Sequence, residues 1–180
     1  LKHLYAEHRG IEDAFLENGK VGDLGTAIAR FKSRFFEPEH QARTRKHVAD
    51  PSKGSNAKRI NMYLRWMVRS DERGVDFGIW KNISPAQLIC PLDVHVIRVA
   101  RQLGILQRAV PDWQAALELT AFLRTLDKED PVKYDFSLCH LGMLQRCPSR
   151  RDPVRCEGCG VMCPTGSECV SGACAAADGG

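Results

Sequence analysis

Apolar residues recur along this chain at intervals of three and four, the spacing of one face of an α-helix. Leu4, Ile11, Phe15 and Leu16 share such a face between Leu1 and Asn18, and Leu24, Ile28, Phe31 and Phe35 share another between Asp23 and Phe36. A polar, basic connector then runs to the turn sequence Pro51-Ser52-Lys53-Gly54. After it Ser55 or Asn56 can cap a helix through about Ser70, with Ile60, Leu64 and Met67 on one face. Residues 71–91 contain Gly74, Gly78 and Pro85 and read as loop. Asp93 heads the next helix, with Val96, Val99, Ala100 and Leu103 at helical spacing and Gly104 as its stop. Asp112 can cap a further helix whose apolar face is Ala116, Leu119, Leu123 and Leu126. Asp130 caps, and Pro131 opens, a last helix through about Arg146. No segment alternates with period two over a useful length. An all-α domain is therefore predicted over residues 1–146, followed by a Cys-rich loop over 147–163 and a Gly-, Ser- and Ala-rich tail of little order over 164–180.

Composition agrees with that picture. The 180 residues are 43% hydrophobic and 27% charged, and a chain of this length buries roughly 70% of the surface its unfolded form exposes. No apolar run approaches the roughly 18 residues of a membrane span. The opening Leu1-Lys2-His3-Leu4-Tyr5 lacks the layout of a signal peptide, and with no initiator Met an N-terminal piece is expected to be missing. Of eight cysteines, Cys90 and Cys139 lie in apolar text and six crowd into the last 34 residues. A secreted disulfide framework would spread its bridges, so a reduced, cytoplasmic protein is expected; a monomer is expected as well. Cys147, Cys156, Cys159 and Cys163 form a four-thiolate set suited to an iron-sulfur cluster or to Zn2+. Cys169 and Cys174 have no role in this scheme.

Charge changes the picture further. The net +4 conceals a stretch from Arg30 to Arg73 with 12 basic and 5 acidic residues, a local +7 against −3 elsewhere. Such a stretch suits a polyanion, because each neutralised phosphate releases counterions; a solvated helix face would look the same. Backbone amides near Gly54 and Ser55 could meet a phosphate, with Lys58, Arg59, Arg65 and Arg69 adding charge along the following helix. Asp93 would hold an ionised carboxylate at a helix N-terminus, where it could stabilise a developing positive charge or activate a nucleophile, or act as a plain N-cap.

The order of turn, Lys-bearing helix, Leu92-Asp93-Val94-His95-Val96-Ile97-Arg98-Val99 and terminal cysteine cluster resembles the helix-hairpin-helix DNA glycosylase superfamily, the group of endonuclease III and the 8-oxoguanine glycosylases. The blocks 58–69, 75–80 and 130–136 resemble more closely an uncharacterised bacterial family related to those enzymes, over nearly all of residues 1–143. The resemblance implies a helix-hairpin-helix glycosylase-like domain with a 4Fe-4S cluster. It matches Asp93 to the aspartate that assists cleavage of the base–sugar bond, and Lys58 to the lysine that forms a Schiff base in bifunctional members. Here only Gly54 precedes Lys58 where two glycines are usual, Val94 replaces Thr, and the outer cysteine gaps are eight and three where iron-sulfur glycosylases have six and five. A base must leave the stack to be attacked; Trp66, Phe77 and Trp80 are candidates to stack on it, and Asp76 to accept a hydrogen bond from its edge. His95 suits packing, or support of a neighbouring site residue, better than proton transfer. The expected function is a DNA-binding, base-excision-repair-like protein, a DNA glycosylase with or without lyase activity. The alternatives are a non-catalytic nucleic-acid-binding protein on the same scaffold and a metal-stabilised structural domain.

Overall fold

The computed structural model describes residues 1–72, 74–144, 167–170 and 173–176, with backbone alone for residue 144 and for the last two segments. The described helices, in chain order, are α1 (Lys2–Glu7), α2 (Leu24–Phe35), α3 (Lys58–Val68), α4 (Val94–Gln102), α5 (Trp113–Leu126) and α6 (Asp135–Leu144). Short 3-10 turns at Asp13–Phe15, Ala42–His47, Pro51–Lys53, Pro85–Gln87 and Pro131–Tyr134 lie between them. The protein is thus mostly helical, as its periodicity predicts. A small antiparallel hairpin, β1 (Ser167–Val170) with β2 (Ala173–Ala176), sets Cys169 opposite Cys174 in a segment expected to have little order.

Two expected helix caps, Asp93 and Asp112, are in place, and Asp23 supplies a third beyond those expected. Asp23 Oδ2 accepts the Thr26 amide at 2.7 Å, Asp93 Oδ1 accepts that of His95 at 2.9 Å, and Asp112 Oδ1 accepts that of Ala115 at 3.0 Å. Elsewhere the local structure departs from the periodicity. The helix expected over Leu1–Asn18 ends at Glu7, because Arg9 (φ 57°) and Gly10 (φ 134°) leave the right-handed region. The chain resumes as a turn that buries Ala14, Phe15 and Leu16. The final helix begins at Asp135 rather than after Pro131, and the carboxylate of Asp130 engages Arg69 instead of capping it. Residues 75–80, expected as loop, do alternate: Val75, Phe77 and Ile79 are exposed, while Asp76, Gly78 and Trp80 are buried. Hydrogen bonds from Phe77 N to Trp66 O (2.7 Å) and from Trp80 N to Met67 O (2.9 Å) hold this extended stretch against the end of α3. The period was hidden because two of its inward positions are Asp and Gly.

The described residues divide into two compact units, each closed by separate stretches of chain. The first comprises Leu1–Pro91 and Val110–Val132. Its buried residues include Phe15, Leu24 and Ile28, Leu64 of α3, and Ala116, Leu119 and Leu123 of α5. Phe15 stacks on Phe31 with centroids 4.3 Å apart, and Trp80 packs against Phe15 and, edge-on, against Tyr63. The second unit comprises Leu92–Ala109 and residues from Lys133 onward. In it α4 packs on α6; Val96, Val99 and Ala100 of α4 and Leu138 of α6 are buried.

Helix α6 approaches α4 at a glycine. A Cβ added at Gly142 would lie 2.8 Å from the Cβ of His95 and 3.0 Å from its carbonyl oxygen. Gly142→Ala must therefore part the two helices, and a loss of about 1–3 kcal/mol is expected from such overpacking. Gly22→Ala, where nothing stands within 4 Å, should change stability by less than about 0.5 kcal/mol; urea denaturation of both variants checks the contrast.

Candidate functional site

The turn before α3 is built around Asp50. Its carboxylate accepts the amide (3.2 Å) and the hydroxyl of Ser52, and its carbonyl accepts the amides of Lys53 (3.1 Å) and Ser55 (3.3 Å). The Ser52 hydroxyl and the nearby Lys32 ammonium, 3.6 Å away, hold the Asp50 carboxyl below its ordinary pKa against the opposing effect of burial. Gly54, at φ 81°, ends the 3-10 turn, and its amide bonds to Pro51 O at 2.9 Å. Ser55 Oγ and Asn56 Oδ1 then accept the amides of Ala57 and Lys58, each at 3.2 Å. The two residues expected to cap α3 thus serve it from just outside, while Ala57, at φ 50°, occupies the N-cap itself. The Gly54 carbonyl accepts the Trp113 amide at 3.3 Å, and Asn56 Nδ2 donates to Pro111 O at 3.0 Å, fastening the turn to the head of α5.

This geometry corrects one expectation. The amides of Gly54 and Ser55 are both engaged inside the turn, so neither is offered to a phosphate. Lys58, half-buried, is the first residue of α3; Lys53 and Arg59 are exposed on either side of it in sequence.

A second correction concerns the inner face of α3, whose buried residues are Asn61, Leu64, Arg65 and Val68. Arg65 is 1% exposed, and its guanidinium meets Asp76 Oδ2 at 3.2 Å. One helical turn on, Arg69 reaches the same Asp76 oxygen and also forks onto Asp130, with Nε 2.8 Å from Oδ1 and Nη2 2.7 Å from Oδ2. Burial opposes the Arg69 charge, but the hydrogen bonds and charge of Asp130, together with Asp76, outweigh it and raise its pKa. Burial also pushes the Asp76 carboxyl above the usual carboxylate value, and the two guanidiniums offset that only in part. Taking a guanidinium out of water costs several kcal/mol unless it is paired; that is why both arginines turn inward only where carboxylates meet them. Arg65 and Arg69 are therefore not placed to bind a phosphate backbone, and Asp76 is not placed to read a base edge. Trp80, 8% exposed between Phe15 and Tyr63, is a core residue rather than a stacking platform. Trp66 is half-buried, and Phe77 is 61% exposed.

The basic stretch resolves accordingly. Arg30 Nη1 donates to Phe15 O at 3.0 Å, and Arg34 Nη1 donates to Asp13 O (3.0 Å) and Leu16 O (2.9 Å), closing the turn that follows α1. Among the described residues of the stretch, Arg43, Arg45, Lys46, Lys53 and Arg59 are the exposed cations. In the second unit, Asp93 is half-buried with its carboxylate on the His95 amide, and His95 packs against Gly142, as its expected packing role requires. Lys58 belongs to the first unit and Asp93 to the second. Cys90 is buried and Cys139 half-buried. The candidate ligands Cys147, Cys156, Cys159 and Cys163 lie outside the described residues. One cluster that helical periodicity does not suggest joins His3, His8 and Glu37 in the first unit. The His8 and then the His3 hydrogen bonds hold the Glu37 carboxyl below its ordinary pKa.

The profile of one protein family matches residues 1–144 of the 180, and its description is Protein of unknown function (DUF2400). The chain belongs to the DUF2400 family. No curated protein matches it, and no solved structure does. The DUF2400 match takes in Lys58, Asp93, the buried arginine–aspartate cluster and the His3, His8 and Glu37 group, and it ends before the six clustered cysteines. Among the described residues no helix is long and apolar enough to cross a membrane.

The buried cluster makes a direct prediction. Asp76→Asn removes the negative charge that Arg65 and Arg69 share, in a site where the Asp76 side chain is fully shielded. It is expected to cost about 3–5 kcal/mol of stability. Phe77→Ser, at the exposed neighbouring position, should cost under about 0.5 kcal/mol; guanidinium denaturation compares the two.

Proposed function

We propose that this DUF2400 chain binds DNA and cleaves the bond between a damaged base and its sugar, in the manner of the helix-hairpin-helix glycosylases that it resembles. The observation that carries this reading is the turn from Asp50 to Ala57. A short helical turn, a left-handed Gly54 and the head of α3 follow one another within a few residues, and Lys58 stands first on the helix. Exposed Lys53 and Arg59 flank it and supply charge for phosphates. Asp93 at the head of α4 has, taken by itself, the feature that the resemblance implies, because a carboxylate fixed by a helix amide suits a positively charged, oxocarbenium-like sugar in the transition state.

The roles follow from the chemistry. The unprotonated amine of Lys58 adds to the sugar C1′ while the base leaves with the electron pair of the glycosidic bond and takes a proton from solvent. Loss of a proton from the new ammonium and opening of the sugar ring then give a Schiff base. The role that the resemblance implies for Asp93 is to lower the energy of the cationic sugar without forming a bond to it. Phe77 and Trp66 are the aromatic candidates left to fill the gap in the stack or hold the extruded base. Cys147, Cys156, Cys159 and Cys163 belong to the same reading as ligands of a 4Fe-4S cluster, with Zn2+ as the alternative.

Borohydride trapping on duplexes carrying a panel of damaged bases tests the chemistry. The wild-type chain is expected to form a covalent product with at least one lesion; Lys58→Ala should lose it, and Asp93→Asn should lose base release while still binding DNA. DNA retention without any product across the panel would leave only the binding part standing. For that part, each lost phosphate contact should reduce the slope of log affinity against log salt by about 0.9, so Lys53→Glu with Arg59→Glu should flatten it; an unchanged slope would overturn DNA binding through this turn. Protein purified aerobically should absorb broadly near about 400 nm if the cysteines hold iron and sulfide, and a colourless, zinc-containing preparation would decide for Zn2+.

A further inference from the structure

The first unit holds a group of side chains that the DNA reading does not use. His3 lies in α1 and His8 caps its C-terminus, where the helix ends and Arg9 and Gly10 turn the chain. Glu37 follows the C-cap of α2, Phe36. His3 Nε2 is 2.7 Å and His8 Nε2 2.9 Å from the same oxygen, Glu37 Oε2, and the two rings meet edge to face with centroids 5.5 Å apart. One ligand atom from each of the three residues lies within 4.8 Å of the others.

We propose that His3, His8 and Glu37 form a Zn2+ site, in which two imidazole nitrogens and one carboxylate oxygen are the protein ligands and water completes a tetrahedron. The donor set selects the ion: two imidazoles disfavour Mg2+ and Ca2+, which take oxygen ligands, and suit late first-row divalent cations. The geometry is close to what the ion needs. Ligands about 2.0–2.1 Å from a tetrahedral Zn2+ stand about 3.3 Å apart, so each nitrogen-to-oxygen contact must open by roughly half an ångström, and the two nitrogens, within 4.8 Å of each other, must take the same spacing. The Glu37 side chain is 45% exposed and can make that movement, while His3 and His8 are less exposed, at 27% and 18%, and meet each other edge to face. The consequence is structural. Helix α1 has six residues, too few to persist alone in water, and the ion would clip it to the end of α2. The rival is a hydrogen-bonded trio that takes up no metal.

The test is a Co2+ titration of the tag-free, chelator-treated full chain, followed by displacement with Zn2+. A Co2+ ion on these ligands gives weak visible bands, whereas thiolate ligation by the terminal cysteines adds intense near-ultraviolet absorption, so the two classes of site are read separately. The expected result is one equivalent of the thiolate-free class. His3→Ala, His8→Ala and Glu37→Gln should each weaken it by more than about 100-fold, beyond what loss of an outer-shell partner costs. Glu37→Gln changes an exposed side chain by one atom type and keeps its size, so a loss of binding in that variant with an unchanged metal-free melting curve separates ligation from folding. Absence of a thiolate-free class in the wild-type chain, or equal binding by wild type and the His3→Ala/His8→Ala double variant, overturns the site.

Discussion

Two buried guanidiniums, Arg65 on the inner face of α3 and Arg69 at its C-cap, share a carboxylate, and much of the first unit is arranged to supply it. Asp76 arrives on the chain that reverses after α3, and Asp130 arrives from beyond α5. The backbone bonds from Phe77 and Trp80 to Trp66 and Met67 fix the register of the reversing segment. Gly78 permits it: at φ 59°, with any Cβ 2.6 Å from that of Ser70, the position admits no side chain. A slip of one residue would turn Asp76 to solvent and Phe77 inward, taking from Arg65 and Arg69 the carboxylate that they share and leaving Arg69 with Asp130. Apolar residues alone would penalise that slip far less, so here the ion cluster chooses the register as much as it stabilises it.

The same accounting reshapes the basic stretch. Arg30 and Arg34 close the carbonyl end of the turn at Asp13–Phe15, Lys32 neighbours Asp50, and Arg65 and Arg69 lie in the core. A guanidinium is suited to such work because its planar donors satisfy several acceptors at once and its charge is not lost. What faces solvent is a smaller set on the connector and the turn, Arg43, Arg45, Lys46, Lys53 and Arg59. Local net charge therefore overstates the surface available to a polyanion, and of the exposed remainder Lys53 and Arg59 lie on either side in sequence of Lys58, on which the proposed chemistry depends.

Helices α2, α4 and α5 were legible because both of their signals are local: an Asp at the cap and apolar residues at helical spacing. The inner face of α3 was not. Its pattern through Ile60, Leu64 and Met67 differs from the observed Asn61, Leu64, Arg65 and Val68 by a rotation of about one residue, and the rotation follows from treating arginine as an outward residue. An Arg at i, i+4 from another on a helix rich in apolar residues was the available sign. Its partners were beyond local inspection, since Asp130 stands 61 positions from Arg69. For the candidate site, Asp93 as a cap and Lys58 at a helix head could be read from the chain. The engagement of the Gly54 and Ser55 amides could not, because it depends on how the turn closes on itself. Nor could the meeting of His3 and His8 with Glu37, since α1 had to end early to bring the two rings together.

The N-cap of α3 joins these local observations to the proposed chemistry. Ala57 sits at φ 50° with its side chain 1% exposed, a conformation that costs a non-glycine residue about 1–2 kcal/mol. Glycine would relieve that strain but leave the space of a buried methyl, and Ser or Asp would bring a polar group into the same space. The structure instead satisfies the helix head from its neighbours, with Ser55 on the Ala57 amide, Asn56 on the Lys58 amide and Asn61 Nδ2 on the Asn56 carbonyl at 3.1 Å. The turn is thereby over-determined at the residue before Lys58, so the direction in which Lys58 leaves the backbone is set before any ligand binds. For the nucleophile proposed above, a backbone fixed on folding removes part of the orientational entropy that would otherwise be lost in the reaction, the side-chain torsions of Lys58 being the remainder.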